Sequence, residues 1–192
     1  MCSWSAAARR TTTWRIRRSA TAGPCRSCSA ARARRWRWPD INRDSAEATA
    51  ELVRAEGAEA TVVVADAAGE DGVAAMFAET REALDGIDGL VLNVGVGQGF
   101  LLSGTSAEDW DRVMAVNLRS QFLGCKHGIA ELDEGGAIVL IGSVAAREVM
   151  PIPAYAASKA ASESLCRQAA VEGAPRVRVN VLHPGLIDTP LG

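Results

Sequence analysis

Four short apolar runs constrain this chain more than anything else in it. They are "ATVVVAD" (60–66), "GLVLNVG" (89–95), "GAIVLIGS" (136–143) and "VRVNVLHPG" (177–185). The runs are too apolar and too rich in β-branched residues for strands with one wet face, which suits strands covered on both sides. Between them lie stretches with helical spacing: "SAEATAELVRAEG" (45–57), "AAMFAETREAL" (74–84), "SAEDWDRVMAVNLRSQFLGCKHGIAEL" (106–132) and "PAYAASKAASESLCRQAAVEG" (153–173). Gly57 is a plausible stop for the first of these. Strand and helix in alternation imply βαβ units and hence an α/β fold, a Rossmann-type doubly wound parallel sheet.

Ligands in such sheets bind beyond the carboxyl ends of the strands. The residues that follow each apolar run are therefore the candidates: Asp66, then Asn93 in a turn with Gly95, Gly97 and Gly99, then Ser143, then Pro184 and Gly185. Each alone is weak, because strand ends carry polar and turn residues for structural reasons. The helix after Ser143 adds "YAASKAA", in which Tyr155 and Lys159 are four apart and so share one face. An ammonium beside a phenol favours the phenolate, which would make Tyr155 a proton donor and acceptor near neutral pH. Tyr155 is the only Tyr in the chain, and Lys159 is one of two Lys, the other being Lys126.

At these residues the sequence resembles the short-chain dehydrogenases/reductases. The family's catalytic Ser and its Tyr-x-x-x-Lys appear as Ser143, Tyr155 and Lys159, and its helix Asn as Asn117 in "VMAVNLRSQFLG". Its Asn-Asn-Ala-Gly turn appears altered as "LNVG", with Asn93 and Gly95 kept. Asp66 matches the acid beside the adenine ring, and Asp40 matches the acid that ends the second strand. "HPGLIDTP" matches the Pro-Gly turn of the sixth strand, with Ile187 and Thr189 where the family contacts the nicotinamide amide.

The resemblance implies hydride transfer between a nicotinamide cofactor and a carbonyl/alcohol pair. In it Tyr155 exchanges the proton, Lys159 assists it and holds the nicotinamide ribose, Ser143 holds the substrate oxygen, and Asn117 holds a relay water. Asp40, Asp66, Asn93, Gly95, Tyr155, Lys159, Pro184, Gly185, Ile187 and Thr189 would line the cofactor. An acid at Asp40 suggests NAD, with Arg43 leaving room for NADP. A small-molecule carbonyl or alcohol substrate, a cytoplasmic location and a homo-oligomer in full-length relatives are further implications; no nucleic acid or membrane partner is expected. The alternative is a catalytically dead nucleotide-binding or scaffold protein of the same fold.

The first 38 residues do not fit this picture. They hold ten Arg and no acid; the remaining 11 basic residues stand against 23 acids, so a charge of +10 is followed by one of −12. Trp4, Trp14, Trp36, Trp38, Cys2, Cys25 and Cys28 also lie there, and Gly23 is the only Gly before Gly57. No His or Cys pair completes Cys25-x-x-Cys28 at zinc-finger spacing, and no metal site is expected. The family's strand, glycine-rich turn and helix should precede Asp40, and no such pattern is present.

Three readings compete for this segment: a basic arm for nucleic acid, a mitochondrial presequence, and a frame-shifted translation. Trp has the single codon TGG. Read one base earlier, the codons of "WRWP" (36–39) give hydrophobic-Ala-hydrophobic-Ala when the Arg codon is CGN, directly before "DINRD". That is the second strand the family requires, and the frame-shifted reading alone accounts for the missing unit. Residues 1–39 are thus expected to be foreign to the fold, and 40–192 to form a partial NAD(P)-binding domain without the family's C-terminal strand and lid.

Overall fold

The structure, a computed structural model, describes residues 13–18 and 34–185; of residues 13–18 and 34 it describes the backbone alone. The elements follow in the order β1 (Thr13–Arg18), β2 (Arg34–Asp40), α1 (Arg43–Ala55), β3 (Glu59–Val64), α2 (Glu70–Leu84), β4 (Gly89–Leu92) and α3 (Ala107–Met114). A π-helical turn (Ala115–Arg119) joins α3 to α4 (Ser120–Glu131), and β5 (Gly136–Ile141), α5 (Pro153–Gly173) and β6 (Val177–Leu182) complete the chain.

One six-stranded sheet runs in the order β3-β2-β1-β4-β5-β6. β2 and β3 are parallel, as are β4, β5 and β6. The chain moves outward one way through β2 and β3 and the other way through β4, β5 and β6. With right-handed crossovers, that reversal puts α1 on one face and α2, α4 and α5 on the other. The sheet is therefore doubly wound, as its apolar runs imply.

The first two strand positions depart from a βαβ unit. β2 is in place beside β3, with Asp40 opposite Val64, so β2 brings six residues upstream of the expected boundary at residue 40 into the sheet. β1 fills the central position but runs antiparallel to both β2 and β4. Residues 19–33, which join them, lie outside the described residues.

The side chains of β2 fit their surroundings unevenly. Arg35 caps the end of α2 by donating to the carbonyls of Ala83 (2.5 Å) and Leu84 (3.5 Å), a favourable place for a cation. Arg37 is buried, pairs with the exposed Glu79 and donates to Thr61 Oγ1 at 3.3 Å. Its Nε, and Nε1 of the buried Trp38, have no hydrogen-bond partner among the described residues. A buried donor left unmet costs about 1–3 kcal/mol.

Helix starts are set by local side chains. Asn42 Oδ1 accepts from Ser45 N at 3.0 Å to open α1, and Ser106 Oγ accepts from Asp109 N at 3.0 Å to open α3. The core lies between the sheet and α2, α4 and α5, and includes Val73, Phe77, Leu90, Leu92, Leu123, Ile138 and Leu140. No helix among the described residues is long and apolar enough to cross a membrane.

α4 approaches β4 through its glycines. A Cβ on Gly124 would come within 2.4 Å of Leu92 Cδ2 and 3.0 Å of Cδ1. Alanine is the better helix former by about 1 kcal/mol, but overpacking a tight core costs about 1–3 kcal/mol. Gly124→Ala is therefore expected to lower stability by up to about 2 kcal/mol in urea unfolding. Unchanged or raised stability would mean that Leu92 has room to repack.

Candidate active site

The chemistry gathers at the exits of β4 and β5. Asn117, expected on a plain helix, sits instead within the π turn, fully buried. The wider turn inserts a residue into the helix, a distortion common at functional sites. Its Oδ1 accepts from Val96 N at 2.7 Å; its Nδ2 donates to Val96 O at 2.9 Å and to Ser158 Oγ at 3.0 Å. Three of the four hydrogen-bonding positions of the amide are thus engaged by the protein. Its side chain is first a strut between the β4 exit and α5, and only one lone pair of Oδ1 remains for the expected water.

Lys159 is buried on α5, and its Nζ donates to Ile141 O at 2.7 Å, at the end of β5. Nζ also lies 5.6 Å from the ring centroid of Tyr155. Burial pushes the ammonium down from 10.5 to about 8. Gly95 completes the approach: a Cβ there would lie 3.5 Å from Lys159 Nζ and 3.7 Å from Asn117 Oδ1. Tyr155 enters in the first turn of α5 behind Pro153, and packs on Val96, Val113 and Ala154. Its phenol oxygen makes no hydrogen bond among the described residues.

Ser143 is two residues beyond Ile141, in extended conformation, half-buried. Its Oγ accepts from Ala145 N at 3.2 Å and so starts a short 3-10 turn. The structure therefore links all four expected catalytic residues through adjoining backbone and side chains.

The cofactor positions divide. Asp40 and Asp66 line one cleft of about 100 Å³ with Pro39, Ala65, Val94 and Val96. Asp40 is buried, and its Oδ1 accepts from Asn42 N at 2.9 Å; Asp66 is exposed, and its Oδ1 accepts from Ala68 N at 2.9 Å. Apolar walls with a carboxylate at the strand end suit the adenosine half of a dinucleotide. Asn93 follows β4 directly, Pro184 O accepts from Val144 N at 3.0 Å, and Gly185 is exposed beyond β6. Ile187 and Thr189 lie outside the described residues.

The pyrophosphate half fits poorly. That group is held at the carboxyl end of a first strand by a glycine-rich turn and a helix N-terminus. Here β1 runs antiparallel to β4, with Thr13 beside Val91 and Arg15 beside Gly89. Its carboxyl end points to the opposite end of the sheet from the site. A surface hollow of about 400 Å³ around Arg81, Glu82, Asp85 and Asp133 also lies at that far end and contains none of the site residues.

Sequence reasoning missed three buried polar residues. Gln121 Nε2 donates to Ile141 O at 3.1 Å, the carbonyl that holds Lys159, and Ser162 Oγ donates to Gln121 Oε1 at 2.6 Å. Ser158 Oγ donates to Tyr155 O at 2.7 Å while accepting from Asn117. Gln121 is four residues after Asn117, and Ser162 four after Ser158, so one-face spacing was the available signal.

Known proteins resemble this chain in sequence and in fold. A family described as enoyl-(acyl carrier protein) reductase matches residues 35–192. A short-chain dehydrogenase/reductase of Hericium erinaceus is 40% identical over 147 residues, 74% of this chain and 58% of that protein. A Burkholderia cenocepacia protein solved with bound NADP is 30% identical with a TM-score of 0.73, covering 80% of this chain and 59% of that one. The NAD+-bound xylitol dehydrogenase is 29% identical with a TM-score of 0.72, covering 77% and 58%. The chain spans about three fifths of the length of each of these relatives.

The buried ammonium gives a direct test. Unfolding restores the value of 10.5, so the unfolded chain binds more protons than the folded one between about pH 8 and 10.5. The contribution of Lys159 to stability is unfavourable below that window and improves as pH rises through it. Of the two Lys side-chain signals, that of Lys159 should titrate near pH 8, and Lys159→Met should flatten the pH slope of stability in the same window. A Lys159 signal titrating with that of an exposed lysine would refute this.

Proposed function

The chain belongs to the short-chain dehydrogenase/reductase family, and from that premise we propose that its site is built for hydride transfer between a nicotinamide cofactor and a carbonyl or alcohol substrate. The observation that carries the proposal is the junction of Asn117, Gly95, Lys159 and Tyr155, with Lys159 Nζ buried 5.6 Å from the phenol ring centroid. A cofactor bound there supplies or accepts the hydride. Tyr155 gives a proton to the substrate oxygen during reduction and takes it back during oxidation. Ser143 Oγ releases the Ala145 amide and donates to that same oxygen. Lys159 would hold the ribose of that cofactor, and Gln121 also satisfies the Ile141 carbonyl to which Lys159 donates. Asp40 accepts from the adenosine ribose hydroxyls and disfavours a 2′-phosphate, so NAD is the proposed partner.

The loops beside the site point to an apolar substrate. Leu101 N donates to Pro151 O at 2.8 Å, joining the loop after β4 to the loop before α5. Together they expose Phe100, Leu101, Leu102 and Val149.

A second reading, an inactive member of the same fold, is favoured for the chain as it stands by the reversed direction of β1. Residues 1–39 are proposed to be a frame-shifted translation, which the unpartnered donors of Arg37 and Trp38 support. The shifted codons at 36–39 carry neither donor.

Two preparations test this. The 192-residue chain, titrated with NADH and followed by nicotinamide fluorescence, is expected to show no saturable binding in the micromolar range, which is roughly −8 kcal/mol. A chain translated in the restored frame is expected to bind NADH and, when given NAD+ as hydride acceptor, to oxidise an alcohol. Tyr155→Phe should then lower its turnover about 10²–10⁴-fold. Micromolar binding by the first preparation would overturn the account of residues 1–39. Turnover indifferent to Tyr155 would overturn the mechanism.

The cofactor assignment has its own test. The restored enzyme should turn over faster with NAD than with NADP at equal concentration, and Asp40→Gly should narrow the gap. A preference for NADP in the unaltered enzyme would remove the role given to Asp40.

A further inference from the structure

His183 stands at the exit of β6, before the Pro184–Gly185 turn, and proton transfer through Tyr155 does not use it. Its ring lies over Gly142. A Cβ at 142 would come within 2.6 Å of both Cε1 and Nδ1 of His183, so a glycine there is what admits the imidazole to the backbone of Ser143. Nδ1 then lies 3.2 Å from Ser143 N and 2.9 Å from Ser143 O. The backbone around it is paired: Gly142 N donates to Leu182 O at 2.8 Å and Val144 N to Pro184 O at 3.0 Å.

The other ring nitrogen faces a carboxylate. Nε2 is 3.3 Å from Glu163 Oε1 on α5, and the same oxygen accepts from Arg147 Nε at 3.0 Å. The hydrogen bond from Arg147 holds the Glu163 carboxyl below the usual carboxylate range, with a smaller opposing effect of burial and further help from Arg167. Nε2 has no aligned hydrogen-bond partner among the described residues, so Glu163 acts on it through charge.

One nitrogen cannot accept from Ser143 N–H and donate to Ser143 C=O in the same protonation state. A carboxylate beside Nε2 favours the proton on Nε2, leaving the lone pair of Nδ1 for the amide. We propose that His183 is a positioning residue for Ser143. As the neutral Nε2–H tautomer, oriented by Glu163 and Arg147, it accepts from the Ser143 amide. It thereby fixes the strand exit from which the Ser143 hydroxyl is presented. The groups facing this device are Glu163 and Arg167 from α5 and Arg147 from the loop after β5. Its catalytic meaning rests on the reading of Ser143 as the group that holds the substrate oxygen; the contacts themselves do not.

The test uses the full chain, labelled with 15N. Its two His give separable imidazole signals, assigned with His127→Gln. The expected result is a His183 ring with bare Nδ1 and a proton on Nε2. His183→Asn places Oδ1 near the position of Nδ1 and should keep Ser143 amide exchange slow. His183→Leu should speed that exchange about tenfold, the equivalent of one hydrogen bond. An Nδ1–H tautomer, or equal exchange in the Leu and Asn variants, would overturn the proposal. None of these readings depends on turnover. A coupled His183 and Ser143 in a restored enzyme whose turnover ignores Tyr155 would sink the functional reading alone.

Discussion

One side-chain amide sets the relative positions of the parts that matter. Asn117 is buried, and a buried amide is tolerated only when its donors and acceptors are met. They are met by the backbone of Val96 and by Ser158, which passes its own proton to the carbonyl of Tyr155. A single chain of hydrogen bonds thus runs from the loop after β4, through the π turn, to the first turn of α5. Gly95, one residue before Val96, is held close enough that a Cβ would touch Lys159 Nζ. The distance between the phenol and the ammonium is therefore a product of core structure.

The N-terminal strands show which functions pairing can replace. A gap between β2 and β4 would leave two open edges in the middle of the sheet, an unfavourable arrangement. Backbone hydrogen bonds carry little sequence information, so Thr13–Arg18 closes the gap in reverse direction. Side chains are less forgiving. Arg37 brings a charge beneath α2 and meets it with an exposed glutamate, while its Nε and the indole N–H of Trp38 stay unmet. A reversed strand completes a sheet, yet it cannot present a glycine turn to a pyrophosphate, because its carboxyl end lies at the wrong end of the sheet.

From residue 41 onward the fold was legible because apolar, β-branched runs alternate with helical spacing. Of these runs only β4 and β5 are covered on both faces, while β3 and β6, at the sheet edges, alternate buried and exposed residues against expectation. The apolar runs became β3 to β6, and α5 spans Pro153–Gly173, with Pro153 in its first turn and Gly173 at its end. The π turn was not legible, since it differs from an α-helix by one residue of hydrogen-bond register and has no composition of its own. β1 was hidden because three of its six residues are Arg, which reads as a solvated segment. Site residues that follow strands were legible through the rule that ligands lie beyond carboxyl ends. Gln121, Ser158 and Ser162 were not, because a polar residue on a helix reads as solvent-facing until its partner is known.

This hidden network changes what an intact set of catalytic residues implies. Asn117 is retained by any chain that needs its strut, active or not. Lys159 closes a hydrogen bond to Ile141 O inside the core, and Ser143 starts a turn with its hydroxyl. Folding alone accounts for these three. Tyr155 differs: its ring packs on Val96, Val113 and Ala154, a contact that phenylalanine would make equally well. Its hydroxyl, which meets no partner among the described residues, adds nothing to that packing, while the ammonium of Lys159 lies 5.6 Å from the ring centroid. The oxygen of one side chain, rather than the presence of all four, is the part of this site that folding leaves unexplained.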